Sequence, residues 1–390
     1  MRIINPATEE IIGDLPEDQA TSLQQKLIRL KEGQKDWYAR SPEQRVEILR
    51  RYSALLEEHR ERLSLLLTRE VGKPLQQSRN EINGARTRMQ WLLDNALKYL
   101  SPETMTTEEG LTERITYEPL GVVCNISAWN YPWLVGVNVY IPALLAGNAV
   151  LYKPSEYASL TGLEMSKLLY EAGVPEKVFI PAIGGKETGE TLLDLPFDGY
   201  FFTGSWKTGQ HIYTRVAAKM VPCQCELGGK DPLYVADDVL DISAVAAGTA
   251  DGAFYNNGQS CCAVERIYVH RSVFEAYTEA FVREVKSWKC GSPEEPGVYI
   301  GPLTRQQQLD VLDDQVQDAI NRGATLLTGG KRMTGKGWYY EPTVLTNVTN
   351  DMKVMREESF GPIIGIMAVD SDEEAIRLMN DTEYGLTSAV

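Results

Sequence analysis

Histidine is scarce in this 390-residue chain: His59, His211 and His270 are the only three, and none lies in a polar loop suited to pairing with a cysteine. A Cys–His couple is therefore not expected, and a carboxylate is the candidate for any general base. Cysteine is also sparse. The six residues at 124, 223, 225, 261, 262 and 290 match no disulfide framework and no zinc ribbon, so no metal is expected. Positive charge is in deficit, with 39 basic against 54 acidic residues and a formal net charge of −15. That balance argues against a nucleic-acid partner, which would require a basic face. The opening Met1-Arg2-Ile3-Ile4-Asn5-Pro6 has no apolar signal core, so a reduced, cytoplasmic protein is expected.

Charge disappears altogether between Pro119 and Tyr152. The run is long enough to cross a bilayer. Pro132 and Pro142 interrupt it, however, and Asn125, Asn130, Asn138 and Asn148 scatter amides through it. A buried strand, helix and strand is the better reading, with no membrane partner.

What is present is helix first and then a regular alternation. Leu27, Leu30, Val46, Leu49, Leu55, Leu56, Leu63 and Leu66 recur at helical spacing among charges, as in helices that cover a core. Leu111 to Tyr117 alternates like an exposed strand, which invites pairing with another subunit. From Gly121 onward strands and helices alternate: 121–126, 133–146, 149–152, 159–172, 178–183, 200–202, 206–220 and 221–225. A second series follows at 233–235, 242–255, 267–269, 273–288, 325–327, 339–344 and 363–369. The fold class is α/β, with two Rossmann-type lobes and parallel sheets covered on both faces. The length is too great for one ordinary core, in keeping with two lobes.

Five places could carry chemistry. Asn256-Asn257-Gly258-Gln259-Ser260-Cys261-Cys262 sets two thiols behind a glycine turn; they are either a nucleophile with its neighbour or an inert buried pair. Asn130, in Trp129-Asn130-Tyr131-Pro132, is either an oxyanion donor or a capping residue. Glu226 ends a strand before Leu227-Gly228-Gly229. It is a base with a raised pKa if its surroundings are apolar, and a solvated turn residue otherwise. No G-x-G-x-x-G follows the first parallel strand; Phe202-Thr203-Gly204-Ser205-Trp206-Lys207-Thr208-Gly209 instead leads through glycine into a helix start that favours phosphate. Lys153-Pro154-Ser155-Glu156 offers a cation and a carboxylate suited to a ribose.

In this order, these segments resemble the aldehyde dehydrogenase superfamily. The motifs that carry the resemblance span nearly the whole chain: Glu118 to Val123, Trp129 to Pro132, Pro142 to Pro154, Phe202 to Ser205, Glu226 to Lys230, Gly258 to Cys261 and Glu358-Ser359-Phe360-Gly361-Pro362. The resemblance implies that Cys261 is the nucleophile, that Asn130 and the Cys261 N–H hold the oxyanion, and that Glu226 activates the hydrolytic water. It also implies cofactor contacts from Trp129, Lys153, Glu156, Gly204, Ser205, Gly209, Gln308, Glu358 and Phe360. The implied reaction is NAD(P)-dependent oxidation of an aldehyde to its acid through a thiohemiacetal and a thioester.

The cofactor expected is NAD, because Glu156 would repel a 2′-phosphate; NADP is the alternative, since relatives with the same lysine and carboxylate accept it. The domain expectation is a cofactor-binding domain of 1–100 and 119–227, an oligomerisation strand at 101–118, and a catalytic domain of 228–390. Members of the family continue beyond the position of Val390, so the last part of the catalytic domain is expected to be absent. A homodimer or homotetramer is implied where that segment is present.

Two departures stand out. Trp206 and Lys207 occupy positions where the family often has a small residue and an acid. No Arg follows Pro132 to hold the distal carboxylate of a semialdehyde, although Arg69 to Leu75 resembles the succinate semialdehyde group. A small aliphatic aldehyde or a semialdehyde is the substrate class expected. The alternative is a catalytically silent or inactive truncated member of the same fold.

Overall fold

The computed structural model describes residues 1–108 and 110–390; Glu109, inside the expected oligomerisation segment, lies outside them. Contacts divide the chain into two compact units. Unit 1 holds residues 1–3, 11–70 and 78–226, and unit 2 holds 4–10, 71–77 and 227–390.

The amino-terminal third is helical, as the leucine spacing requires, after a short ribbon of β1 (Arg2–Ile4) and β2 (Ile11–Asp14). Four helices follow: α1 (Ala20–Tyr38), α2 (Pro42–Glu58), α3 (Arg60–Val71) and α4 (Leu75–Leu100). Ser41 caps α2 by accepting the Gln44 N–H, with Gln44 reciprocating and Pro42 at the first turn. Leu27, Leu30, Val46, Leu49, Leu56 and Leu63 are buried; Leu55 and Leu66 are half-buried at the edge of the stripe. An antiparallel ribbon of β3 (Glu103–Glu108) and β4 (Leu111–Ile115) comes next, and every residue of β4 is exposed.

The remainder of unit 1 is a doubly wound sheet. Its elements are β5 (Val122–Ile126), α5 (Pro132–Leu145), β6 (Ala149–Lys153), α6 (Ser159–Ala172), β7 (Phe179–Pro181), α7 (Lys186–Asp194), β8 (Gly199–Thr203), α8 (Trp206–Ala217) and β9 (Cys223–Glu226). The strand order is β7-β6-β5-β8-β9, all parallel. The charge-free run is β5, α5 and β6, and both strands are buried at every residue. Among the described residues, no helix is long and apolar enough to cross a membrane.

Unit 2 repeats the architecture with β10 (Asp231–Val235), α9 (Ile242–Phe254), β11 (Val264–His270), α10 (Phe274–Ser287), a small pair β12 (Lys289–Cys290) and β13 (Val298–Ile300), α11 (Gln307–Asn321), β14 (Thr325–Thr328), β15 (Thr343–Thr346), α12 (Lys353–Arg356), β16 (Ile363–Val369) and α13 (Asp372–Met379). Its order is β10-β11-β16-β15-β14, parallel except that β14 runs antiparallel to β15. Side chains alternate as period two demands. Leu233, Val235, Ile267 and Val269 enter one apolar cluster, while Tyr234, Tyr268, Leu345 and Val369 enter another. The strand expected at 339–344 begins only at Thr343, because Pro342 has no N–H to give a ladder. Tyr340 makes only an isolated bridge to Arg332.

Candidate functional site

In unit 1 the strand order reverses direction between β5 and β8, and such a switch point opens a crevice at the carboxyl ends of the strands. The segment after β5 ends in Asn130, which is buried at the entry to α5. The Glu81 carboxylate accepts the Trp133 N–H at 2.8 Å and so fixes that entry. Trp129 meets Tyr157 edge-on, with ring centroids 6.4 Å apart, tying the ends of β5 and β6 together.

Lys153 ends β6 and is buried; its Nζ donates to the Pro154 carbonyl at 3.2 Å. Burial holds its pKa below the ordinary lysine value, opposed by the Glu156 carboxylate. An ammonium has three donors, so this one retains capacity for a ligand hydroxyl. Glu156 accepts the Ser155 hydroxyl at 3.3 Å. After β8, Gly204 donates its N–H to the Glu226 carbonyl at 3.0 Å. Ser205 caps α8 by accepting the Thr208 N–H, and Gly209 is buried in the next turn. Trp206 and Lys207 lie exposed at the same helix start. These groups suit a dinucleotide: a cation and a carboxylate for a ribose, and a helix N-terminus for phosphate. Glu226 is the last residue of β9 and is exposed, so the apolar enclosure expected for it is not found.

Unit 2 carries the thiols. Asn256, Asn257 and Gly258 all have left-handed backbones, with φ of 55°, 59° and 71°. Glycine adopts this conformation freely, but two asparagines in succession are costly there and persist only where their surroundings impose it. The constraints are visible. Asn257 donates from Nδ2 to the Pro302 carbonyl at 2.9 Å and accepts the Gly301 N–H at 2.8 Å. Asn256 gives its N–H to Gln77 Oε1 at 2.9 Å, and Gln259 Oε1 accepts the Thr304 N–H at 3.0 Å. A side chain at Gly258 would lie 2.3 Å from the Gly361 carbonyl oxygen, so the thiol turn and the 358–362 turn meet there.

Cys261 is half-buried and Cys262 exposed. The neighbouring Cys262 side chain holds the Cys261 thiol above the ordinary range, and Cys261 in turn holds the Cys262 thiol below it. Burial and the Glu358 carboxylate push Cys261 up further.

Glu358 approaches the Gly228-Gly229 turn from the other side. Its Oε1 accepts the Gly229 N–H at 3.2 Å, and a side chain at Gly228 would lie 2.2 Å from that oxygen. Burial, with the Glu265 charge second, pushes its carboxyl up to about 7. Phe360 holds a left-handed φ of 46°. Gln308 is buried and committed within the unit: it donates to the Ser359 carbonyl at 2.6 Å and accepts from Arg305 at 2.5 Å.

The sequence-assigned residues thus form two groups. Trp129, Asn130, Lys153, Glu156, Gly204, Ser205, Gly209 and Glu226 lie at or just beyond the carboxyl ends of the unit 1 strands. Cys261, Glu358 and Phe360 precede β11 and β16, at the amino ends of the unit 2 strands, with Gln308 braced beside them. Sequence reasoning quoted Asn256, Asn257 and Gln259 beside the thiols without giving them a role, and passed over Glu81 and Glu265. The Asn-Asn-Gly run was the available signal for the first two, since asparagine and glycine tolerate left-handed backbone.

A doubly wound sheet with a dinucleotide-suited switch point, joined in one chain to a thiol on a constrained turn, defines a nucleotide-dependent oxidoreductase class. Residues 1–390 match the model of the aldehyde dehydrogenase family. Peroxisomal aminoaldehyde dehydrogenase 1 of Pisum sativum is 38% identical over 403 residues, covering 99% of this chain and 79% of that protein. The 3,6-anhydro-alpha-L-galactose dehydrogenase of Vibrio sp. (strain EJY3) is 34% identical, covering 100% and 82%. Among solved structures, succinate-semialdehyde dehydrogenase from Burkholderia pseudomallei superposes with a TM-score of 0.96 at 33% identity, covering 100% of this chain and 81% of that one. A 3,6-anhydro-L-galactose dehydrogenase solved with NADP gives 0.95 at 33%, covering 100% and 82%. The chain belongs to the aldehyde dehydrogenase family. Its reaction is the oxidation of an aldehyde with a nicotinamide dinucleotide.

Proposed function

We propose that this chain oxidises a small aliphatic aldehyde with NAD, using Cys261 as nucleophile. The observation that carries the reading is the constrained 256–262 turn, which holds one of two adjacent thiols half-buried beside Gly228-Gly229 and Glu358. Cys261 Sγ adds to the aldehyde carbon, and its proton leaves to solvent. The Asn130 amide and the Cys261 N–H hold the oxyanion of the thiohemiacetal. When bound, the nicotinamide supplies the two-electron acceptor that converts this adduct to a thioester. Glu226, at the end of β9, acts as an exposed carboxylate base and not as the enclosed one first expected: it removes a proton from water as the water attacks the thioester carbon, and the acid leaves as the Cys261 thiol is restored. Lys153 and Glu156 would hold the adenosine ribose, Gly204, Ser205 and Gly209 the pyrophosphate, and Glu358 and Phe360 the nicotinamide side.

NAD is preferred over NADP because the Glu156 carboxylate stands where a 2′-phosphate would be repelled. The segment 131–138 carries no cation to pair a distal carboxylate, which disfavours succinate semialdehyde, since an unpaired buried carboxylate is costly. The identity to the pea aminoaldehyde enzyme supports testing ω-aminoaldehydes first. The test follows cofactor reduction by absorbance with 3-aminopropanal, 4-aminobutanal, butanal and succinate semialdehyde, each with NAD and with NADP. The expected order places the uncharged and amino substrates with NAD ahead. A preference for succinate semialdehyde or for NADP would refute that part of the reading. We further propose that β3–β4 is a subunit contact, because Met105, Leu111 and Ile115 are exposed on it.

A further inference from the structure

Glu265 and Lys230 form a buried ion pair at 2.5 Å that the proposed chemistry does not use. A buried pair of this kind repays its desolvation only where further hydrogen bonds satisfy it, so the destination of those bonds is informative. Here they converge on one turn. Glu265 Oε2 accepts the Ser359 N–H at 2.8 Å, and Oε1 accepts the Phe360 N–H at 3.0 Å. Lys230 Nζ donates to Ser359 Oγ at 2.9 Å, and that hydroxyl donates to Gln315 Oε1 at 2.8 Å. The Gln315 amide returns to the Glu358 carbonyl at 3.3 Å. Every residue of the 358–360 turn is thereby gripped through its backbone or hydroxyl, and Phe360 is kept in a conformation that a bulky residue seldom adopts.

We propose that Glu265, with Lys230, is the positioning pair that fixes the Glu358–Phe360 turn and thereby sets affinity for the nicotinamide cofactor. The inference rests on the reading that Glu358 and Phe360 face the nicotinamide. The carboxylate accepts the N–H of Phe360 itself, the residue that holds the left-handed φ. Arg266 supports the same pair from below, donating from Nε to the Lys230 carbonyl at 2.9 Å. Without the carboxylate, the turn loses two N–H acceptors and Lys230 loses its counter-ion. The expected consequence is a displaced Phe360 in an otherwise intact sheet.

The test uses the full chain and two variants, Glu265→Gln and Glu358→Gln, with Ser359→Ala as a milder lesion if the first fails to fold. Dissociation constants for NAD, KM for NAD, KM for the aldehyde and kcat are measured separately. Glu265→Gln is expected to weaken NAD binding about tenfold and leave the aldehyde KM within about twofold, a split that general loosening would not produce. Ser359→Ala is expected to move NAD binding in the same direction by about threefold. A folded Glu265→Gln with wild-type NAD affinity, or equal losses on both substrates, overturns the inference; for a non-folding Glu265→Gln, the same results from Ser359→Ala do so. The reading beneath it is tested separately: if Glu358→Gln leaves NAD affinity and kcat unchanged, that reading falls and takes the inference with it. If Glu358→Gln weakens NAD while Glu265→Gln does not, only the inference falls.

Discussion

At the residue scale the division of labour between two adjacent thiols is the sharpest feature. Cys261 is half-buried next to Glu358, whereas Cys262 is exposed and accepts no role in the proposed chemistry. Cys261→Ala is therefore expected to lower turnover by about a thousandfold or more, while Cys262→Ala keeps it within a few fold. Steady-state rates of the two variants decide this, and the reverse ranking would reassign the nucleophile. Glu156 makes a second residue-level case. In the proposed reading Glu156 opposes a 2′-phosphate, so for Glu156→Gln the ratio of kcat/KM for NADP to that for NAD is expected to rise about tenfold. An unchanged ratio would place cofactor discrimination elsewhere.

At the scale of the element, turns and helix ends do the positioning. Gly258 has a left-handed backbone and no room for a methyl group beside the Gly361 carbonyl. Gly258→Ala is expected to cost about 2 kcal/mol or more in denaturant unfolding and to lower activity with it. Wild-type stability in that variant would show that the turn is not constrained as described.

The start of α6 rests on Glu70, which is fully buried and accepts the Leu160 and Thr161 N–H groups at 2.6 and 2.8 Å. Burial pushes its carboxyl up to about 7, with those hydrogen bonds opposing. A carboxyl whose folded pKa is raised binds its proton more tightly in the native state. Its contribution is therefore fully present below the unfolded value near 4.5 and is lost as pH rises through about 7. The loss amounts to about 3 kcal/mol at most, at roughly 1.4 kcal/mol per unit. Comparing unfolding free energies between pH 4.5 and 8 for wild type and Glu70→Gln isolates this slope. The variant is expected to be flatter by that amount, and parallel curves would contradict the assignment.

For the molecule as a whole, the alternation of strands and helices was legible because buried parallel strands are short apolar runs and the helices between them carry charge at regular spacing. Ser159–Ala172 and Ile363–Val369 were read to the residue. Boundaries slipped where the backbone rather than the pattern decides, as at Pro342 before β15. The helix read as 206–220 ends at Ala217, and Met220 beyond it is left-handed and exposed. The antiparallel direction of β14 could not be read, since an edge strand has the same composition either way.

Legibility of the site followed the same logic. Residues whose side chains would act on a ligand stood out by type: a thiol, a carboxylate after a strand, a lysine before a proline. Those that act by holding backbone did not. Glu265 lies in β11 between Val264 and Arg266, and its partners Ser359 and Phe360 are more than ninety positions away along the chain. Nor does sequence reveal that unit 2 presents its residues at the amino ends of its strands, because strand order and direction are properties of the folded sheet.

The chain's place in an assembly also belongs to this scale. If β3–β4 is a subunit contact, charging its face as Leu111→Glu with Ile115→Glu is expected to move sedimentation toward the 43.6 kDa single chain. An unchanged sedimentation profile would remove the ribbon from that role.

The most direct test of the central claim is to look for the covalent intermediate. Glu226→Gln should form the thioester and hydrolyse it slowly. With aldehyde and NAD, this variant is expected to give one equivalent of reduced cofactor in a burst, and intact-protein and peptide mass spectrometry should then find the acyl group on Cys261. A burst that persists in the Cys261→Ala, Glu226→Gln double variant, or an acyl group carried by Cys262, would contradict the account.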